Sequence, residues 1–199
     1  MEESEQIYAF VSEKISLLQI DGPWSKRMLA RLRRGVGKDP VDTPDIWEIT
    51  FGGIPESLSK YKSDIGTTKA ELAIHVALTL YSLHQQGNDF SVNGKNEKNN
   101  KNSFASASRK LIFPDGKNEN AIKRRFDSLI TALDLTEFSY HARGLVQMMR
   151  TADKPIQVNY PQLAKDLYFF QIPEGRRRVL LNWGRDFYRI ESNIDNKKE

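Results

Sequence analysis

Apolar side chains recur every three to four positions along most of this chain, and strict alternation is rare. That spacing matches the 3.6-residue turn of an α-helix and not the two-residue period of a strand. A first helix is expected from about Ser4 to Gln19, broken by Asp21-Gly22-Pro23. A second runs from about Trp24 to Arg34 and stops at Gly35, a residue suited to the position just past a helix end. Thr43-Pro44 reads as an N-cap followed by proline at the first helical position, opening a short helix that closes at Gly52-Gly53. From Thr67 or Thr68 to Gln86, the residues Leu72, Ile74, Val76, Leu78, Leu80 and Leu83 make the helix apolar all round, which predicts burial on every side.

Residues 87–102, GNDFSVNGKNEKNNKN, offer little to bury and are expected to form a mobile loop. A helix from about Ser103 to Phe113 follows, ended by the turn Pro114-Asp115-Gly116. Beyond it the pattern is more regular. Ile122, Phe126, Leu129, Ile130 and Leu133 share one stripe. Thr136 is expected to cap a helix whose apolar face is Phe138, Ala142, Leu145, Val146 and Met149. Pro155 leads to a helix around Tyr160 to Phe170, and Pro173-Glu174 opens a last one carrying Leu180, Trp183, Phe187 and Ile190. The fold class is therefore all-α, with about eight to nine helices. Two small bundles are expected, residues 1–115 with the loop 87–102 and residues 116–199 with a frayed tail at 191–199.

Composition removes several function classes. The 199 residues contain no cysteine, which excludes disulfides and thiolate metal sites and suits a cytoplasmic protein. The start, MEESEQIYAF, lacks the apolar core of a signal peptide. The longest uncharged stretch, Leu72–Gln86, falls short of the roughly 20 apolar residues that span a bilayer, so no membrane is expected. His75, His84 and His141 occur without the spacing of a metal site, and His75 is expected to be a hydrogen-bonded core residue. Gly35-Val36-Gly37 follows no strand and precedes no Gly-Lys-Ser/Thr, so it carries no nucleotide signal. Asp127, Asp134, Asp153 and Asp166 are dispersed, without the clustering a metal nuclease needs. Trp24, Trp47 and Trp183 sit at helical spacing beside leucine and phenylalanine, as core residues do. No catalysis, metal or cofactor is expected.

The remaining signal is arginine. Net charge is only +4, so position matters more than total. Arg27, Arg31 and Arg34 share one stripe opposite Leu29, Leu32 and Val36. Arg143 and Arg150 stand seven apart with Gln147 between them, and Arg178, Arg185 and Arg189 form another stripe. Lys123 and Arg124 lie off the apolar face of their helix, and Arg109 and Lys110 precede Leu111. A guanidinium donates two parallel hydrogen bonds to phosphate and keeps its charge, which suits a polyanion holder. A solvated face neutralised by Asp127, Asp134, Glu137, Asp166 and Asp186 is the competing reading.

Several segments, in order, resemble the CasB family, the small subunit of the type I-E CRISPR Cascade complex. They are Arg31-Leu32-Arg33-Arg34-Gly35, Leu83-His84-Gln85, Ser103-Phe104, Arg124-Arg125-Phe126 through Leu129-Ile130, and Arg143-Gly144-Leu145-Val146. Asp153, Tyr160-Pro161, Leu163-Ala164, Asp166-Leu167 and Trp183-Gly184-Arg185-Asp186-Phe187-Tyr188 continue the match. The likeness covers most of the chain and is strongest from about Ala121. It implies a non-enzymatic helical subunit that sits as a pair within a ribonucleoprotein, beside other Cascade subunits, guide RNA and target and non-target DNA. Its basic surface would support the R-loop and the displaced strand without reading sequence. The matching basic positions are Arg31, Arg33, Arg34, Arg124, Arg125 and Arg143. Arg109 and Lys110 follow the loop where the family carries further basic residues, although Ser-Phe-Ala-Ser-Ala lacks the glycine expected after Ser-Phe. With Arg27 and Arg150 from the charge pattern, these ten form the candidate nucleic-acid-binding set. The alternative is a free-standing helical DNA-binding regulator, with Arg27 to Arg34 on its recognition helix.

Overall fold

A computed structural model describes residues 2–59, 66–96 and 102–189. Among these residues there are ten α-helices and no strand. They are α1 (Glu3–Leu18), α2 (Pro23–Arg34), α3 (Trp47–Thr50), α4 (Glu56–Ser59), α5 (Lys69–Gln85), α6 (Phe104–Arg109), α7 (Glu119–Thr131), α8 (Leu135–Arg150), α9 (Tyr160–Phe170) and α10 (Pro173–Tyr188). Two 3₁₀ turns, Pro40–Asp42 and Pro44–Ile46, link α2 to α3. The expected Ile190 and the tail 191–199 lie outside the described residues.

The all-round apolar helix is the centre of the molecule. A capping box starts α5: Thr68 Oγ1 accepts from the Glu71 N–H at 3.1 Å, and Glu71 Oε2 accepts from the Thr68 N–H at 2.8 Å. From Ala73 to His84 every side chain of α5 is buried, because α1, α2, α8 and α9 all pack against it. With α1 also packed on α9, apolar residues from both sides of residue 115 belong to one core cluster. At one end of it Phe138, Phe170 and Trp183 meet with ring centroids 5.7 to 6.3 Å apart.

Among the described residues, the buried side-chain polar atoms are paired except Ser4 Oγ and His75 Nδ1. His75 is fully buried with Nε2 3.3 Å from the Gly35 carbonyl. His84 Nδ1 meets the Tyr160 hydroxyl at 2.9 Å, and burial pulls the imidazole down to about 4. The Trp183 Nε1–H donates to Asp166 Oδ2 at 2.9 Å, and Gln162 Nε2 donates to Oδ1 at 2.8 Å. Burial pushes the Asp166 carboxyl up to about 6 despite these two donors. Trp183 is therefore a core residue, as its spacing predicts. Trp24 is half-buried against the core, but Trp47, expected in the core, is exposed because its Nε1–H donates to the Pro40 carbonyl at 2.8 Å on the surface.

Three local expectations need correction. Asp134, not Thr136, caps α8: its Oδ1 accepts from the Glu137 N–H at 2.9 Å, while Glu137 Oε2 takes the Leu133 N–H at 2.6 Å. Thr43 does not cap α3, since its hydroxyl donates to the Pro40 carbonyl at 3.1 Å and a 3₁₀ turn intervenes. The loop after α5 is anchored over 88–96 rather than free. Gln85 Nε2 donates to the Phe90 carbonyl at 2.7 Å, and Gln157 Nε2 to the Ser91 carbonyl at 2.9 Å. The Val158 N–H meets the Val92 carbonyl at 3.0 Å, completing a single parallel bridge between Asn93 and Val158. Amide side chains replace regular structure here, which composition alone reads as floppiness. Gly94 is required at this crossing, because a Cβ would stand 2.7 Å from Asn102 Nδ2 and 2.8 Å from Gln157 Cβ. Residues 97–101 of that loop lie outside the described residues.

Candidate nucleic-acid interface

The ten candidate side chains divide into distinct groups once the helices pack. α7 lies alongside α8 and brings Arg124 and Arg125 to face Arg143. With Ser128, Tyr140, His141 and Gln147 they line a notch of about 500 Å³. Gly144 leaves room for Arg125, whose Nη1 would lie 3.3 Å from a Cβ there. No carboxylate lines this notch. Among the described residues none of Arg124, Arg125 and Arg143 has an ion pair.

A second group forms at the C-terminal ends of α2 and α8. Arg33, half-buried, lies near Arg150 and Arg34, and burial followed by these two charges makes its guanidinium a weaker base than usual. Like charges are held together here without a carboxylate between them, although the nearby helix C-termini offset part of the repulsion. Arg143 and Arg150 are seven residues apart on α8, about 10 Å along its axis. The two groups thus sit along one helix, with Gln147 between them.

The other four candidates are differently placed. Arg27 is exposed on the outer face of α2. Arg31 is half-buried and donates to the Asp45 carbonyl at 3.3 Å. Arg109 pairs with Glu119 at 3.3 Å, a carboxylate it shares with Lys123 at 2.9 Å, and Lys110 donates to Asn102 Oδ1 at 3.2 Å. The Arg176-Arg177-Arg178 run is partly structural. Arg176 donates to the Ala132 and Leu133 carbonyls at the end of α7 and lies over the Phe170 ring at 4.2 Å.

Four of the five carboxylates expected to neutralise the arginine face hold other groups, while Asp127 is exposed on α7. Asp134 caps α8 and Glu137 takes the Leu133 N–H. Asp166 holds Trp183 and Gln162, and Asp186 accepts from the Ser103 hydroxyl at 2.8 Å. Sequence spacing placed Gln147 beside this face but gave no signal for Tyr140 or Ser128, which join only when α7 docks on α8. Among the described residues no cluster of three histidine, aspartate or glutamate side chains could hold a metal. Nor is any helix long and apolar enough to cross a membrane.

The family model of the CRISPR-associated protein Cse2 matches residues 28–188. The chain belongs to the Cse2 family. Its match takes in most of α2 and all of α3 to α10, and with them all the candidate arginines except Arg27. Among solved structures, the Cse2 chain is similar to CasB from Thermobifida fusca, at 27% identity over 92% of this chain and 98% of that one, with a TM-score of 0.73. It shares its fold with M. ruber CasB, at 18% identity, 94% and 93% coverage and a TM-score of 0.66. It shares it also with a chain of a CRISPR RNA-guided surveillance complex, at 17% identity, 94% and 95% coverage and a TM-score of 0.64. No curated protein gives a significant match. The expected resemblance to CasB therefore holds, and so does the all-α class.

Proposed function

We propose that this Cse2-family chain is a non-catalytic small subunit of a type I-E Cascade ribonucleoprotein, present with a second copy of itself. In this reading its arginine track supports the R-loop and holds the displaced non-target DNA strand, while base pairing to the guide RNA reads sequence. The observation that carries it is the pair of arginine groups along α8, Arg124, Arg125 and Arg143 at one end and Arg33, Arg34 and Arg150 at the other. Three guanidiniums with no carboxylate partner, gathered from two helices, are what phosphate contacts need and what internal ion pairing does not produce. Family membership and the likeness to a chain of a surveillance complex support the assembly part of the reading.

Such a surface binds by releasing counterions, with log K falling by about 0.7 per phosphate contact for each unit of log salt on single strands. Changing Arg124, Arg125 and Arg143 together to glutamine should make that slope shallower by about 2 and weaken binding equally for unrelated sequences. The measurement is binding of random-sequence oligonucleotides across about 50 to 300 mM salt, repeated with the variant assembled with its Cascade partners. An unchanged slope in a folded variant would remove the notch from the interface. A footprint on one palindromic site would favour the regulator instead.

A further inference from the structure

Phosphate contacts alone hold a single strand and a duplex through the same chemistry, yet the α7–α8 notch contains a group that phosphate holding does not require. Tyr140 is 75% exposed and stands in the wall of the notch beside Arg143. Its ring meets His141 edge-on, with centroids 5.3 Å apart and planes at 75°. With three-quarters of its surface in solvent, at least one ring face is open. Isolated exposed aromatics are common on protein surfaces. This one faces a concavity of about 500 Å³, within the size range of small-molecule sites, whose other walls carry three unpaired guanidiniums and the amide of Gln147.

We propose that this notch is a single-nucleotide subsite in which one base stacks on the Tyr140 ring while Arg124, Arg125 and Arg143 hold the flanking phosphates. The inference rests on the nucleic-acid-holding reading above and adds strand selection to it. A duplex hides its base faces in the stack, so only an unpaired base reaches the ring. Any base has a π-face, so the subsite discriminates strand state and not sequence. His141, which lies 3.7 Å from Glu137 Oε1, buttresses the ring edge rather than contacting phosphate.

The test compares the full-length wild type with Tyr140→Ala, Tyr140→Phe and the triple arginine-to-glutamine variant. Each is titrated with a fluorescent mixed-sequence single strand, the matching duplex and a strand of abasic deoxyribose phosphates. Tyr140→Ala should weaken the single strand roughly 5- to 150-fold, the range for loss of one base–aromatic stack. It should leave duplex and abasic strand within about twofold, because neither presents a free base. Tyr140→Phe should retain wild-type discrimination. Equal loss for the normal and abasic strands, or no loss for either, overturns the stacking subsite. The arginine variant separates the two readings. If it alone weakens all three ligands, phosphate holding stands without the subsite, and if it changes none of them, both fall. Tyr140 is too exposed for its removal to threaten folding, and the abasic control reads through any small change in stability.

Discussion

Replacing His84 with glutamine should flatten the acid side of the stability curve, and the size of the effect follows from where the imidazole lies. His84 is 1% exposed and its Nδ1 is held by the Tyr160 hydroxyl at 2.9 Å. Burial lowers its proton affinity from the ordinary 6.5 to about 4. The unfolded chain therefore takes up a proton at this site first as pH falls, and each such proton pulls the equilibrium toward unfolding. The contribution is fully present above about 6.5 and is lost on descent to about 4. At about 1.4 kcal/mol for each pH unit between those values, the loss is about 3 kcal/mol. Asp166 works in the opposite direction. Its carboxyl is raised from 3.8 to about 6, so the folded chain takes its proton first and that contribution grows as pH falls through the same window. A wild-type curve alone would blur the two. The difference between wild type and His84→Gln removes every group they share, and glutamine keeps a polar atom for the Tyr160 hydroxyl. Urea unfolding at pH 7, 6, 5 and 4.5 gives that difference directly. Whatever offset the substitution causes at pH 7, wild type should lose about 2 to 3 kcal/mol more than the variant on the way to pH 4.5. An offset that stays constant with pH would refute the buried neutral imidazole.

Two further outcomes concern packing. Gly175→Ala should destabilise by about 1 to 3 kcal/mol in urea melts, because a Cβ would stand 2.7 Å from the Phe169 carbonyl oxygen, a backbone atom that cannot swing aside. Arg176→Ala should cost about 1 to 2 kcal/mol through the lost hydrogen bonds to Ala132 and Leu133 and the lost contact over Phe170. Oligonucleotide affinity should stay within about twofold for Arg176→Ala, which separates a structural arginine from those of the notch.

Much of the fold was legible because long helices with strong apolar stripes leave little ambiguity. The boundaries of α2 and α9 and the start of α10 fell within a residue of expectation, each fixed by glycine or proline punctuation or by a sharp apolar onset. Short elements were not legible. The four-residue helix α4 was missed altogether, and α6 ended at Arg109 rather than near Phe113. Over so few residues tertiary hydrogen bonds outweigh periodicity. The anchored segment 88–96 shows the same limit, since Gln157 pins it from far along the chain and Gln85 from the end of α5. For the interface, the sequence identified arginines by type but could not distinguish Arg109, bound to Glu119, from Arg143, which has no such partner. Pairing depends on which carboxylates other elements claim, and that is decided by packing.

On the proposed reading, the meeting of Arg33, Arg34 and Arg150 at the ends of α2 and α8 would make folding and binding answer oppositely to ionic strength. Mobile anions gather around three close cations and relieve their repulsion, so the free chain becomes more robust as salt is added. The same anions compete with phosphate and loosen the complex. A strand held as proposed would supply that neutralisation itself, so at low salt it would act as a folding ligand whose departure raises the population of unfolded chain.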